Sequence, residues 1–546
     1  MFARAAALVR SHGIDSDANL GDLLDQPPAD ADADVLQRLR YMYESAAWVL
    51  MESAIADLPV DLRWLFESGA VSVEQLAAIH QALRVTSAGD LAAAVSDHAI
   101  RDLAGLNGSI EDAIAAALPG LRRAVPRIAL GRAVILAGPI LKLLRSTPGV
   151  IWASPGGSLR RGQDTVGDIE IVAATTNPAD AIAELLRLPG IVRSLHRSDR
   201  RLCLLLERVQ VSVRLPEPSN AGAALLQVTG SAAHLAALRA HADTTSWRLT
   251  KDGLRSADGT LRPSATEEEI YGALDLPFIP PEIRSGAEEV PAAKSGALPT
   301  LLSRADIHGD LHMHTDFSDG RDTVEAMVQM CRGLGYEYIA ITDHSPHSAA
   351  SRNLSVGSIA RQAEEIARLR EQYPDIAILH GCEVDILPDG RLDFPDRILE
   401  RLDIVLASLH ERAGQSGEHL LRRYSAAMKH PLVTLITHPT NRLVPHKPGY
   451  DLDYDALFQM AVETRTIVEI DGSPAHLDLD GALSRRAIAA GAMLAVNSDC
   501  HRAELLEMQM ELGVTTARRG WVERRHVVNT RPLDEVRAAV AAKRKG

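Results

Sequence analysis

Asp310-Leu-His312-Met-His314 closes the first of seven short apolar runs that follow residue 305. The next six close in Ile341-Thr-Asp-His344, His380-Gly-Cys-Glu383, Ala407-Ser-Leu-His410, Leu435-Ile-Thr-His438, Val468-Glu-Ile-Asp471 and Asn497-Ser-Asp499-Cys-His501. Each run has the length and composition of a strand. All but the sixth stop on a clear metal ligand. A single buried histidine is more often a satisfied core residue, but six strands stopping on His, Asp or Glu are not explained by packing. In barrels of parallel strands and helices, catalytic side chains collect at the carboxyl ends of the strands. A ring of imidazole and carboxylate groups there is what a multinuclear Zn, Mn or Fe site requires. The pattern predicts a β/α barrel that works as a metal-dependent hydrolase.

Outward from that ring, the chain is too long for one core, and its 546 residues suggest three or four domains. No apolar run is long enough to span a bilayer, and Met1-Phe-Ala-Arg-Ala lacks a signal peptide's apolar segment, so a cytoplasmic protein without membrane partners is expected. Cys203, Cys331, Cys382 and Cys500 form no Cys-x-x-Cys pair and fit a reducing compartment. The net charge of −14 hides an asymmetry. Residues 1–120 hold seven arginines and no lysine against eighteen acidic residues, whereas residues 121–215 hold fifteen basic residues against seven acidic ones. A basic middle inside an acidic protein is a candidate phosphate-binding surface, or else a solvated arginine-rich face.

The first 120 residues read as amphipathic helices, Val73–Leu83 among them. From about Val134 strands and helices alternate, with strands expected at Val150–Ala153, Ile169–Val172, Arg201–Leu206 and Val209–Val213. The Pro- and Gly-rich stretch after Leu276 reads as a linker.

Within this α/β section lies Gly156-Gly157-Ser158-Leu-Arg160-Arg161-Gly-Gln-Asp-Thr-Val-Gly-Asp168-Ile-Glu170. A Gly-Ser turn with two arginines can cradle a triphosphate, and carboxylates two residues apart on a strand share one face and can hold Mg²⁺. The full string resembles the nucleotidyltransferase signature of the bacterial family X DNA polymerases. The resemblance continues through Leu225-Leu-Gln-Val-Thr-Gly-Ser231 and Ala265-Thr-Glu-Glu-Glu-Ile-Tyr271. It then runs into Gly309-Asp-Leu-His-Met-His-Thr315, which is similar to the start of the polymerase-and-histidinol-phosphatase (PHP) domain. The resemblance implies a multidomain architecture. Helical N-terminal domains at 1–60 (lyase-like) and 61–130 (fingers) lead to an α/β palm at 131–225 and a thumb at 226–285. A linker at 286–304 then precedes a (β/α)7-like PHP barrel at 305–546.

The departures from the family bear on function. Its palm carries three aspartates, whereas here the pair is Asp168 and Glu170 and the third position holds Ser212. Two-metal phosphoryl transfer needs carboxylates on both metals, so polymerase activity is expected to be lost. A lyase on abasic sugars needs a lysine for its Schiff base, and the first lysine is Lys142. The helix-hairpin-helix loops are blurred, as Ser68-Gly-Ala-Val-Ser-Val73 and Gly105-Leu-Asn-Gly-Ser109.

In the PHP part the resemblance is complete and implies nine metal ligands: His312, His314, Asp319, His344, Glu383, His410, His438, Asp499 and His501. By the same resemblance, His312, His314, Glu383 and Asp499 hold one ion, with Glu383 bridging to a second held with His410 and His438. Asp319, His344 and His501 hold a third. His312, His314, Glu383 and Asp499 are also the expected catalytic set, with Mn²⁺ or Zn²⁺ as the ions. Asp310, Asp343 and Glu469 are candidate anchors behind the ligands, and His347, Arg352 and Arg442 candidate phosphate clamps. In the palm, Gly157, Ser158, Arg161, Asp168 and Glu170 are the candidate nucleotide-binding residues, with Mg²⁺. The leading expectation is a 3′–5′ exonuclease acting on DNA 3′ ends or gaps. The alternatives are an active gap-filling polymerase with proofreading, a small-molecule phosphatase of the histidinol-phosphate kind, and a non-enzymatic sensor of nucleotides or DNA ends.

Overall fold

The structure, a computed structural model, describes residues 127–545 except 207–208, 349, 351 and 411–414. Nearer the start it describes chiefly residues 70–83 and 98–123. The expected lyase-like segment 1–60 therefore lies, save for isolated positions, outside the described residues. From residue 65 onward the described residues fall into two compact units divided between Leu298 and Pro299.

In the first unit the helix Val73–Leu83 forms as its spacing predicts, burying Leu76 and Ile79 with Ile100 and Ile114. The loop 105–109 turns through Gly105 at φ +80° into the helix Gly108–Arg123, whose first turn is capped by the Asn107 side chain.

Next come β1 (Ile128–Ala129), β2 (Val150–Pro155), β3 (Thr165–Val166), β4 (Ile169–Thr175), β5 (Ile191–Ser198), β6 (Arg201–Leu206) and β7 (Val209–Arg214). They make a five-stranded sheet of order β2-β4-β7-β6-β5, in which only β4 and β7 run parallel, plus a separate β1/β3 pair. The helix Leu130–Ser146 covers this sheet with Leu130, Ala133, Leu136, Ala137, Ile140 and Leu144, an i, i+3, i+4 stripe. Strand β5 was not anticipated from the sequence. Its arginines, histidine and serines break the apolar run by which the other strands are read. A hairpin of β8 (Arg248–Thr250) and β9 (Gly253–Arg255) follows.

The expected linker is also corrected. Residues Glu289–Ser295 form a helix, closed by Gly296 in the left-handed conformation. Glu289 is fully buried and pairs with His234 at 2.8 Å. The small-residue composition concealed a packed element.

The second unit is the barrel. Its strands are β10 (Gly309–Asp310), β11 (Tyr338–Ile341), β12 (Ala377–Asp385), β13 (Ile404–Ser408), β14 (Leu435–Ile436), β15 (Ile467–Asp471) and β16 (Leu494–Asn497). All pair in parallel and in chain order. The segments just past the first and last strands meet as well. Met313 bridges Cys500, and the Asn529 amide bonds to the backbone of both Gly309 and Val496.

Side-chain alternation sorts the strand residues into two cores. Tyr338, Ala340, Leu379, Leu406 and Ala495 line one, while Ile339, Ile341, Ile378, Val405 and Val496 pack in the other with Met327, Val328, Tyr424 and Phe458 from the surrounding helices. The helices start at capped ends. Thr323, Ser355, Ser416, Asp453 and Asp480 each accept a backbone N–H from the first turn. Strand, turn and capped helix recur, and every strand delivers its last residues to the same rim.

Candidate metal centre

Glu383 stands at the middle of that rim. It is 1% exposed, and its two oxygens face different imidazoles. Oε1 lies 2.9 Å from His438 Nε2 and 3.8 Å from His410 Nε2, and accepts from the Thr437 hydroxyl at 2.8 Å. Oε2 lies 3.0 Å from His344 Nδ1, 3.4 Å from His312 Nε2 and 3.6 Å from His314 Nε2. Yet Oε2 and His344 Nδ1 are both buried without a hydrogen-bond partner, as is His314 Nδ1. Leaving such groups unpaired costs about 1–3 kcal/mol each. Close donor atoms that do not hydrogen-bond to one another fit a shared cation.

Around this carboxylate the residues form overlapping groups whose ligand atoms lie within 4.8 Å of one another. One is His312, His314 and Asp499, a second His344, Glu383 and His410, and a third His314, Asp319, His344 and His501. Asp499 Oδ1 is 3.0 Å from His314 and 3.4 Å from His312, and Asp319 Oδ1 is 3.3 Å from His501 and 3.6 Å from His344. All nine sequence-predicted residues are thus brought together. The partition differs from the expected one at two residues, since His314 also joins the Asp319 group and His344 Nδ1 also reaches Glu383.

The residues behind the ring hold it in place. Glu469 accepts from His312 at 2.9 Å, from the Asn497 amide at 2.7 Å and from the His438 backbone N–H at 2.9 Å. Asp385 contacts His410 Nδ1 at 2.6 Å, fixing that imidazole with Nε2 inward. The sequence reading missed Asp385. The signal was available, because two residues beyond Glu383 on one strand it shares the same face. Asp343 accepts from the Thr315 backbone and hydroxyl at 2.8 and 2.6 Å, from Ser318 N at 3.1 Å and from Gln362 at 2.6 Å. It thereby shapes the loop that carries Asp319. His438 and Asp499 both sit at positive φ, +24° and +49°, conformations costing on the order of 1–3 kcal/mol where the surroundings enforce them.

Burial and charge oppose one another here. Burial pulls the imidazoles toward neutrality, but the facing carboxylates outweigh it. Asp319 and Glu383 hold His344 up to about 9, Glu383 holds His438 up to about 9, and Asp319 holds His501 up to about 10. His314 goes the other way, to about 4, because burial is joined by His501 and His344. Burial would raise Glu383, yet His312 and His344 keep it well below the usual carboxylate range. The ring concentrates negative charge that protons or metal cations must balance.

A "PHP domain" family model matches residues 310–471, and a "DNA polymerase beta thumb" model matches 224–285. The DNA polymerase/3'-5' exonuclease PolX of Bacillus subtilis (strain 168) is 34% identical over 492 residues, which cover 89% of this chain and 86% of that protein. The chain belongs to the bacterial PolX family. Two proteins named probable phosphatases are each 30% identical over about 200 residues or 35% of this chain. The one from Caldanaerobacter subterraneus is covered over 75% of its length and that from Thermoanaerobacter sp. (strain X514) over 78%. A solved ternary complex of Leishmania infantum polymerase beta matches with a TM-score of 0.27 and 14% identity, covering 39% of this chain and 94% of that one, a likeness too slight to carry weight.

In this PolX chain the palm residues are arranged differently from the sequence expectation. Gly157 and Ser158 open a short helical turn, Gly157–Arg160, with Gly157 at φ +59°. The two arginines expected to cradle phosphate have protein partners. Arg160 binds Glu267 at 2.6 Å and the Thr229 hydroxyl at 2.9 Å, and Arg161 donates to the Thr229 carbonyl at 2.5 Å. Asp168 is half-buried, and Glu170 lies 3.6 Å from Arg214. Ser212 pairs with Glu170 across β4 and β7 and is fully buried, with the Cys203 thiol 3.6 Å from its hydroxyl.

Two of the proposed phosphate clamps in the barrel are exposed, His347 and Arg352. The third, Arg442, donates to the His476 carbonyl at 2.8 Å and to the Leu477 carbonyl, and lies 3.6 Å from Asp480. Its guanidinium braces a loop.

Proposed function

We propose that the barrel is a metal-dependent phosphodiesterase that removes nucleotides from the 3′ ends of DNA. The observation that carries this reading is Glu383, a buried carboxylate with one oxygen toward His438 and His410 and the other toward His312, His314 and His344. A carboxylate so placed suits two cations about 3.5–4 Å apart. His312, His314, Asp319, His344, Glu383, His410, His438, Asp499 and His501 would hold up to three Mn²⁺ or Zn²⁺ ions. Bound there, such ions ionise water near neutral pH and offset the charge of the phosphate.

The chain's own residues prepare the site for this chemistry. Glu469 and Asp385 fix the His312 and His410 tautomers so that each Nε2 lone pair points into the ring. Asp319, His410 and His501 are 22%, 23% and 35% exposed, and that side admits the substrate phosphate. A DNA substrate is supported by the basic segment 121–215 and by the name of the Bacillus subtilis relative.

In the palm we infer that nucleotidyl transfer is lost. Ser212 supplies no anion, and Glu170 faces Arg214, so Mg²⁺ held by Asp168 would lack a second free carboxylate. The domain bounds at 60, 130, 225, 285 and 304 belong to the same proposal, with the helix Glu289–Ser295 lying inside the stretch 286–304.

A second reading, a phosphatase for small esters, is favoured by the names of the shorter relatives. Parallel Mn²⁺-dependent assays on 3′-tailed DNA and on histidinol phosphate separate the two. Faster turnover of DNA supports the exonuclease. Turnover of the small ester alone replaces it with the phosphatase.

A further inference from the structure

The sixth strand, the one whose sequence offered no clear ligand, ends in Asp471 beside two further donors. Asp471, His476 and Asp499 place one ligand atom each within 4.8 Å of one another. Donor atoms that close can be shared by one divalent ion. We propose that these three residues form an additional site for a first-row divalent transition-metal ion, adjoining the His312/His314 group and sharing Asp499 with it.

Three observations beyond the shared Asp499 support it. Asp471 is fully buried, and although its Oδ1 accepts from Ser473 N at 2.6 Å, Oδ2 is buried with no hydrogen-bond partner. Two buried carboxylates with oxygens this close are costly unless a cation or a proton offsets their charge. His476 supplies what a shared proton would not need. Its Nδ1 lies 2.9 Å from the Arg442 carbonyl, which can only accept, so Nδ1 carries the hydrogen and Nε2 keeps its lone pair for a metal. The ring is also held in position, stacked on His438 with centroids 5.3 Å apart, and its backbone carbonyl is gripped by Arg442. One imidazole and two carboxylates form a donor set suited to Mn²⁺ or Zn²⁺. A cation here would add positive charge beside Asp499 and strengthen the hold on an anionic substrate.

The inference rests on the proposed centre only through Asp499, and the test separates the two. Mn²⁺ is titrated into the full chain at pH 8 and bound metal is read by electron paramagnetic resonance, for the native protein and for His476→Gln, Asp471→Asn and His312→Ala. His476→Gln is expected to bind about one ion fewer per chain, or to bind its weakest ion roughly tenfold less tightly or worse. Asp471→Asn, which keeps shape and removes the anion, is expected to do the same, and its circular dichroism melt guards against misreading a folding defect. Native stoichiometry and affinity in both variants, with loss in His312→Ala, would overturn this site and leave the centre standing. No binding by the native chain would overturn both.

Discussion

At the scale of single residues, the charge balance of the ring is set by imidazoles that face carboxylates. His344 and His438 are held near 9 and His501 near 10, so at neutral pH all three carry protons in the metal-free protein. A metal ligand must be neutral imidazole. Metal uptake at pH 7 is therefore predicted to release protons, seen by calorimetry as a heat that depends on the buffer's ionisation enthalpy. Affinity should fall on acidification, and the release should fade above about pH 10, where these rings are already neutral. A buffer-independent heat at pH 7 would contradict the charge assignment. In the palm, Ser212 is buried against Cys203 and Glu170 faces Arg214, so gapped-primer extension is predicted to stay at trace level with either Mg²⁺ or Mn²⁺. Robust extension that disappears in Asp168→Ala would show that the third aspartate is dispensable.

At the scale of elements, the barrel strands were legible because all but the sixth announce themselves twice, by an apolar run and by the ligand that ends it. The strands β2, β4, β6 and β7 were legible from their apolar runs, whereas β5 with its arginines and serines was not. The helix Glu289–Ser295 was hidden for a different reason. Its stability comes from long-range contacts such as Glu289 with His234, which local composition does not encode. The same holds for Arg160 and Arg161. Their spacing suggested phosphate, but their partners Glu267 and Thr229 lie about a hundred and about seventy residues away. In the site, the nine ligands could be found, but Asp471 and His476 became visible as neighbours of Asp499 only when β15 and β16 were placed side by side. The thumb offers an element-scale test. Glu267 is 2% exposed and bound by both Arg160 and Arg284 at 2.6 Å, and burial of the carboxylate is outweighed by these cations. Arg284→Ala leaves the anion with a half-buried partner alone and is predicted to destabilise this unit by about 3–5 kcal/mol. A loss below about 1 kcal/mol in urea unfolding would contradict the role given to the pair.

At the scale of the whole molecule, the proposed chemistry belongs to the barrel and substrate capture to the basic segment 121–215. Removing residues 1–298 is predicted to weaken hydrolysis of DNA far more than that of a small chromogenic phosphodiester, and to flatten the salt dependence of DNA binding. Equal loss on both substrates would make the palm structural. Because Arg160 and Arg161 bind Glu267 and Thr229, reversing their charge would mix folding with binding, and truncation is the cleaner test. The central claim is that Glu383 organises a metal-dependent phosphodiesterase. Its most direct test is Mn²⁺-dependent release of nucleotides from 3′-labelled DNA by the full chain and by Glu383→Ala, with bound metal measured on the same samples. Release by the native chain, stopped by chelation, is expected, together with loss of both bound metal and release in a folded Glu383→Ala protein. Undiminished release by that folded variant would contradict it.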